Sequence, residues 1–281
     1  MENQSQTEEV FIVSPSELLT FYRCPRQYYY RYILRIPTPY SYLMIRGLAF
    51  HEAFELYYNT KLQKRRDPKK QDVVDKFVAS MEAGKDKSDW SRTSFDREIK
   101  AGIAAIDRYM DDVARFIDPL WVEHSFEVEM KKLPIKVKGR FDVVDRVIIL
   151  RDLKVRDRMV YSADAYTNLQ MSAYAFALVK LIKDGKLVPP KESLENFSGR
   201  KVKLCVDNII PDTIDPKVKV IELVKTSRDI KAFAEHTRKA TKFIREAKKN
   251  PDLFYPNPGA YSWSGGCEKY CPFFERCRKE K

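Results

Sequence analysis

Apolar residues recur with a helical period in four parts of the chain. From 97 to 117 they stand at steps of three and four, which predicts an amphipathic helix. The residues on its expected core face are Ile99, Ile103, Ile106, Met110, Val113 and Ile117. Similar patterns predict helices over about 47–62, 162–183 and 227–250, while the charged residues 63–72 predict a loop.

A further helix is predicted by capping signals near the start of the chain. Ser14 suits the N-cap, Pro15 suits the first helical position, and Glu17 follows three residues after the cap, which together form a capping box. Residues 1–13 are expected to be flexible.

The hydrophobic period changes to two between 121 and 155, which predicts three strands. Breaks between them are expected near 132–134 and 145–146. Alternating stretches at 201–210 and 217–225 predict another strand pair.

The third of these strands carries two charges among its apolar residues. Asp152 and Lys154 stand two residues apart and therefore share one face, and Asp142 lies on the preceding strand. Two carboxylates can hold Mg²⁺ or Mn²⁺, and a lysine beside them can orient water and offset the charge of a phosphodiester in the transition state. The alternative is an ordinary exposed strand face that carries an ion pair.

The turn between the two strands tests the metal-site interpretation. A two-residue turn at 145–146 would place Asp142 opposite Ile149 and send Asp142 and Asp152 to opposite faces of the sheet. A metal site therefore requires a bulge or an odd-length loop between these strands.

Three residues on predicted helices are further candidates for chemistry. His51 lies in an aromatic-rich helix, where a single histidine is more often structural than a ligand. Gln170 and Tyr174 are four positions apart and share a helix face. They could have a role in chemistry or could simply pack in the core.

The order of these residues resembles the PD-(D/E)XK nuclease superfamily, in its RecB-nuclease and Cas4-like branch. The motifs are His51, Gly139-x-x-Asp142, Asp152-x-Lys154 and Gln170-x-x-x-Tyr174, and the resemblance extends from 14 to 277. It implies an α/β fold of the restriction-endonuclease type, with a mixed central sheet flanked by helices, and metal-dependent cleavage of DNA.

Specific roles follow from the resemblance. His51, Asp142, Asp152 and the carbonyl of Leu153 match metal ligands. Lys154 matches the catalytic lysine, and Gln170 and Tyr174 match a helix pair that positions this lysine or the DNA strand.

The chain shows no internal repeat or low-complexity linker, so a single domain over 14–281 is predicted. Within it we expect a helical insertion at about 47–118, a nuclease core at about 121–225 and a C-terminal helix with a cysteine motif over 227–281.

Four cysteines form a candidate metal site. Cys267, Cys271 and Cys277 lie within eleven residues, and Cys24 stands in the first helix. Such thiols can bind Zn²⁺, supply an iron–sulfur cluster or remain unligated. The resemblance implies a 4Fe–4S cluster that ties the two chain ends together, although the first gap here is three residues where the family pattern has two. Cys205 alternates with apolar residues and is expected in the core.

The charge of the chain favours a polyanionic partner. Lys and Arg number 52 against 40 Asp and Glu, a net charge of +12, which suits nucleic acid but also suits a basic surface kept for solubility. The candidate DNA-binding residues are Arg23, Arg26, Tyr28 and Arg31, in a segment rich in arginine and tyrosine. Alternatively, these tyrosines pack around the cysteine site. No motif for reading base sequence is evident, so sequence-tolerant binding is expected.

Other function classes receive no support from the sequence. The chain has no run of 18 apolar residues, no phosphate-binding loop of the Walker type and no dinucleotide fingerprint. Its polar, acidic start predicts an intracellular, cytoplasmic protein.

The predicted function is a Mg²⁺- or Mn²⁺-dependent exonuclease that acts on single-stranded DNA or free DNA ends in recombination, repair or CRISPR adaptation. One alternative is a DNA-binding adaptor with little or no catalysis, within an oligomer or a larger complex. The other is a zinc-stabilised protein that binds or processes RNA.

Overall fold

The computed structural model describes residues 9–131, 133–159, 161–194, 197, 199–261 and 266–280. Within these ranges the strands of the main sheet are β1 (Phe11–Val13), β4 (Pro119–Glu129), β5 (Ile135–Asp145), β6 (Leu150–Val155), β7 (Lys201–Ile210) and β8 (Lys217–Thr226). Short strands β2 (Tyr40–Ser41) and β3 (Ser88–Asp89) pair separately. The three strands predicted between 121 and 155 and the later strand pair are confirmed.

The described helices are α1 (Pro15–Arg23), α2 (Pro25–Tyr28), α3 (Tyr42–Lys64), α4 (Lys70–Gly84), α5 (Phe95–Asp112), α6 (Ser162–Thr167), α7 (Leu169–Lys183), α8 (Lys191–Leu194), α9 (Ser227–Lys249), α10 (Cys267–Tyr270) and α11 (Phe274–Lys279). A turn of π-helix, Tyr29–Ile33, follows α2. None of these helices combines the length and the apolar character needed to cross a membrane.

The main sheet is mixed. Its order is β1, β5, β6, β7, β8, and β4 also pairs with β5. β5 and β6 are antiparallel, β6 and β7 are parallel, and β7 and β8 form an antiparallel hairpin. The expected α/β fold with a mixed sheet and flanking helices is confirmed.

The hairpin between β5 and β6 has the odd-length loop that the metal-site interpretation requires. Val143 pairs with Arg151 and Val144 pairs with Leu150. The Ile148 N–H donates to the Asp145 carbonyl at 3.0 Å, and Ile148 has a φ of 60°. The loop therefore contains three residues and ends in the left-handed region, a common way to close a hairpin. If this register is extended by one residue beyond the Val143–Arg151 pair, Asp142 lies opposite Asp152. The two side chains then point to the same face of the sheet.

The helix predicted over 162–183 is wrong as a continuous element. It breaks at Asn168, which caps α7 by accepting a hydrogen bond from the Gln170 N–H at 2.8 Å. Asparagine competes for backbone N–H groups in this way, so α6 ends before Asn168 and α7 begins after it.

Two other boundaries differ from the prediction. α3 begins at Tyr42 because the Ser41 side chain accepts a hydrogen bond from the Met44 N–H, one turn before the predicted start near 47. The segment 63–72 is only partly a loop, because α3 continues through Lys64 and α4 begins at Lys70. The capping box at the start of α1 is confirmed, since Ser14 and Glu17 bond reciprocally.

The chain forms two compact units. Of the described residues, the first contains those within 9–38, 126–139 and 228–280, and the second contains those within 39–125 and 140–227. In the first unit β1 runs parallel to the start of β5, with Ile12 opposite Lys136. Aromatic rings contribute to its core, and Tyr29 stacks on Phe254 at 5.0 Å.

The second unit has a core between α3, α4, α5 and the sheet. The amphipathic helix predicted from 97 is confirmed as α5, although Val113 and Ile117 lie beyond its end. Between the predicted isoleucines, the small residues Ala101, Gly102 and Ala105 are buried. A Cβ at Gly102 would lie 2.1 Å from the Phe77 ring, so this position requires glycine. This packing holds α3, which carries His51, against the strands that carry the aspartates.

Candidate functional site

Asp152 and Lys154 form an ion pair on β6 inside the second unit. Asp152 is fully buried, and its Oδ1 accepts a hydrogen bond from Lys154 Nζ at 2.8 Å. The other oxygen, Oδ2, is buried and has no hydrogen-bond partner among the described residues. A buried carboxylate oxygen without a partner is costly, so this atom is suited to a ligand that the protein itself does not supply.

Asp142 lies across the hairpin from this pair. Its Oδ2 accepts a hydrogen bond from the Leu153 N–H at 2.7 Å. The Leu153 N–H therefore bonds to this side chain and not to a backbone carbonyl of β5. Its Oδ1 lies 3.7 Å from His51 Nδ1. The hydrogen bond fixes the Asp142 carboxylate beside the Asp152–Lys154 segment.

His51 on α3 meets a third carboxylate, which the sequence analysis did not identify. Glu123 Oε1 lies 3.7 Å from His51 Nδ1, and its Oε2 lies 2.7 Å from Arg140 Nε. Ligand atoms of His51, Glu123 and Asp142 all lie within 4.8 Å of one another. Glu123 has a φ of 46°, which is unusual for a residue inside a strand.

This donor set fits a divalent cation. Carboxylate oxygens are the ligands preferred by Mg²⁺ and Mn²⁺, and an imidazole nitrogen is compatible with Mn²⁺. The unpaired Oδ2 of Asp152, on β6 of the same hairpin, is a further candidate oxygen donor. Of the residues expected to bind metal, His51 and Asp142 lie together, and Glu123 joins them. The roles of Asp152 and of the Leu153 carbonyl as ligands stay predictions.

The pKa shifts agree with a site that needs compensating positive charge. Burial raises the pKa of Asp142 and of Asp152, although His51 and Lys154 act in the opposite direction. Burial disfavours the imidazolium form of His51, but Glu123 and Asp142 outweigh burial, so the pKa of His51 is raised. A bound cation would stabilise the ionised carboxylates and the neutral imidazole.

Gln170 and Tyr174 interact on α7 as their spacing predicts. Gln170 Nε2 donates to the Tyr174 hydroxyl at 2.7 Å, and the tyrosine ring packs edge-on against Phe141. Burial, together with the charges of Asp152 and Asp142, raises the pKa of Tyr174 well above its usual value. The hydroxyl therefore stays protonated within the electrostatic field of the two aspartates.

The four cysteines named for a cluster line one cavity in the first unit. It measures about 660 Å³ and is bounded by Cys24, Cys267, Cys271 and Cys277. The Asn257 N–H donates to Cys24 Sγ at 3.4 Å, and burial raises the pKa of the other three thiols. Cys205 lies apart in β7 of the second unit, where burial raises its pKa to about 12.

The proposed DNA-binding residues occupy different environments. Tyr28 is buried against Phe21 and Phe254. Arg26 lines the cysteine cavity, while Arg23 is exposed with its guanidinium 5.6 Å from the Tyr261 ring centre. Arg31 is partly exposed, so Arg23 and Arg31 are the more accessible of the four.

Comparison with known proteins identifies the family. The chain matches no curated protein. A solved structure from Eubacterium rectale, described as a "putative exonuclease", superposes with a TM-score of 0.53 at 13% identity, covering 100% of this chain and 94% of that one. The structure of SSO0001 gives a TM-score of 0.37 at 14% identity, with 97% and 88% covered. At these identities the first likeness supports the fold alone. The family profile of the PD-(D/E)XK nuclease superfamily matches residues 12–278, and the chain therefore belongs to this superfamily.

Proposed function

We propose that this nuclease is a Mg²⁺- or Mn²⁺-dependent exonuclease that hydrolyses phosphodiester bonds at DNA ends, in recombination, repair or CRISPR adaptation. The observation that carries the proposal is the buried, unpaired Oδ2 of Asp152, which lies on the hairpin that also carries Asp142. His51 and Glu123 add two further donors beside Asp142.

The residues divide the chemistry between them. His51, Glu123, Asp142, Asp152 and the Leu153 carbonyl would hold a divalent cation, which acidifies a water molecule and neutralises charge on the phosphate. Lys154 is held by Asp152 at 2.8 Å and can donate a hydrogen bond to the attacking water or to a phosphate oxygen. Gln170 and Tyr174 can position Lys154 or the DNA strand.

The test is digestion of end-labelled linear DNA, single-stranded and double-stranded, in the presence of Mn²⁺. Asp152→Ala is compared with the wild type and with Asp184→Ala, which removes an aspartate paired with Lys180 at a more exposed position. We expect release of labelled nucleotides by the wild type and by Asp184→Ala, and no release by Asp152→Ala. Equal cleavage by all three proteins would contradict the proposal. Binding of DNA without cleavage by any of them would favour the adaptor.

The cysteine cavity is proposed to hold a 4Fe–4S cluster with a structural role. The four cysteines that line one cavity, the N–H bond to Cys24 and the resemblance to cluster-containing members of the superfamily support this assignment. Protein purified without oxygen should contain iron and acid-labile sulfide and should absorb visible light. Stoichiometric zinc without iron would contradict it.

DNA is proposed to be held mainly through its phosphates. The net charge of +12 and the accessible guanidinium groups of Arg23 and Arg31 support sequence-tolerant binding. Binding should weaken steeply as the salt concentration rises, and should differ little between DNA sequences of equal length.

A further inference from the structure

A second polar network lies beside the proposed metal site in the second unit. The Tyr109 hydroxyl donates to Asp207 Oδ2 at 2.7 Å and lies 3.1 Å from the Tyr58 hydroxyl. Arg151 Nη1 donates to both oxygens of Asp207, at 3.1 and 3.3 Å. Asp207, Tyr58 and Tyr109 are almost completely buried. These four residues are called the Asp207 network below.

The Asp207 network joins the elements that carry the metal-site residues. Tyr58 stands seven residues after His51, so both lie on the same face of α3. Arg151 immediately precedes Asp152 on β6, and Asp207 is the register partner of Leu153 in the parallel β6–β7 pair. Movement of any of these elements past another would therefore break a hydrogen bond in the network.

Both groups line one small cavity. Its lining includes His51, Glu123 and Asp142 together with all four members of the Asp207 network. The metal-site residues and the Asp207 network thus face the same space.

General stability does not by itself account for this network. Burying an ion pair has a large desolvation cost, and well-packed apolar residues often serve a core as well or better. Directional hydrogen bonds, by contrast, fix the orientation of the groups to which they are attached. Partners of metal ligands act in this way, and their removal commonly weakens metal binding by 10- to 100-fold.

We propose that the Asp207 network is a positioning device for the metal site, which fixes the Asp152–Leu153 segment of β6 relative to His51 on α3. This inference rests on the proposed metal-dependent function. Its members do not touch the substrate; they hold ligands at the distances that a cation requires.

The test uses Tyr109→Phe, which removes one hydroxyl, and Asp207→Asn, which removes the charge but keeps a similar shape. Mn²⁺ affinity is measured by the loss of the electron paramagnetic resonance signal of free Mn²⁺ during titration, without DNA. We expect the dissociation constant for Mn²⁺ to rise about tenfold in each variant. At saturating Mn²⁺, the KM for DNA should stay close to that of the wild type.

The matched control is Glu98→Gln. Glu98 pairs with Arg46 at 2.7 Å, and both side chains are 3% exposed, so the ion pair is as deeply buried but does not line the shared cavity. We expect Glu98→Gln to lower the thermal unfolding midpoint without changing the affinity for Mn²⁺. If Asp207→Asn does not fold, Tyr109→Phe carries the test, because it leaves the ion pair intact.

The outcomes separate this inference from the proposed function. Unchanged Mn²⁺ affinity in folded Tyr109→Phe, or an equal loss in Glu98→Gln, would overturn the positioning role while leaving the nuclease proposal in place. A wild-type protein that binds no Mn²⁺ would overturn the proposed metal-dependent function, and the positioning role with it.

Discussion

The carboxylate site of the second unit and the cysteine site of the first hold their ligands in different ways. At the carboxylate site, the candidate carboxylate ligands stand on strands, and hydrogen bonds from Leu153 to Asp142 and from Lys154 to Asp152 fix two of them. At the cysteine site, three of the four candidate ligands belong to the segment that contains the short helices α10 and α11, which bury none of their residues. The fold organises the first site, whereas the cluster proposed for the second would supply much of its order.

This difference implies that metal would contribute to the energetics of folding in different ways at the two sites. The carboxylate site places ionisable groups in a buried setting that raises the pKa of Asp142 and Asp152, so its geometry has a cost in stability without a cation. Helices α10 and α11 at the cysteine site bury none of their residues, and metal–thiolate bonds there would contribute folding free energy directly. Loss of metal should therefore impair chemistry at one site and structure at the other.

The largest effect is expected from Cys271→Ala. Loss of one thiolate should release the cluster, expose residues 251–280 to proteases and lower the free energy of unfolding of the first unit by more than about 3 kcal/mol, the upper range for ordinary substitutions. Limited proteolysis followed by mass spectrometry locates the cleavage. Cys205→Ala is the matched control and should keep its iron, because Cys205 lies outside the cysteine cavity. A stable, fully folded Cys271→Ala protein would contradict the structural role.

The second effect concerns Lys154→Met, which retains the length and apolar stem of the side chain. We expect kcat to fall by about 10²- to 10³-fold, because no other described cation pairs with Asp152 at this position. Mn²⁺ should bind at least as tightly as to the wild type, since the ammonium no longer competes for the carboxylate. Stopped-flow cleavage at saturating Mn²⁺ and a separate metal titration measure the two quantities. Lys180→Met, which removes a surface ion pair with Asp184, should leave both unchanged.

The third effect is a dependence of stability on pH that metal reverses. The pKa of His51 is raised above its ordinary value of 6.5, so its protonated form is favoured in the folded protein. The stabilisation of the folded protein by protonated His51 is fully present below pH 6.5. It is lost as the pH rises through the higher pKa that His51 has in the folded protein. Without metal, the wild type should therefore lose more stability than His51→Gln between pH 6 and pH 8.5. Mn²⁺ binds the neutral imidazole, so it should stabilise the wild type more as the pH rises. Parallel pH profiles for the two proteins would refute the assignment of His51.

Strand periodicity let the sequence state which loop between β5 and β6 a metal site would require. Because side chains alternate along strands, the parity of the loop determines whether Asp142 and Asp152 share a face, and the three-residue loop has the required parity. His51, Gln170 and Tyr174 were named through their place in a motif order, and the Gln170–Tyr174 hydrogen bond follows from helical spacing.

Other features depend on information that local patterns do not contain. Asn168 breaks a helix whose apolar pattern continues past it, because a side-chain cap competes with the helical backbone. Asp207 reaches Arg151 only because β7 lies parallel to β6, and this pairing joins residues more than fifty positions apart. Glu123 was not identified from the sequence because its left-handed backbone conformation interrupts the alternation of side chains along β4. The face on which its carboxylate lies could therefore not be inferred from strand periodicity.

The smallest effects are expected at Glu123. There, the contribution of the carboxylate to metal binding can be measured separately from the effect of the backbone conformation on stability. Glu123→Gln should weaken Mn²⁺ binding about tenfold, because it removes one charged donor.

Glycine adopts a φ of 46° without strain, so Glu123→Gly should be more stable than Glu123→Ala by about 1 kcal/mol in urea unfolding. Within a regular strand the order is reversed, because glycine lowers stability by about 0.5–1 kcal/mol relative to alanine. Glu127 on the same strand provides that reference, so Glu127→Gly should be less stable than Glu127→Ala. The same order of stability at both positions would mean that the Glu123 backbone is not strained, and that its carboxylate reaches the site without a backbone cost.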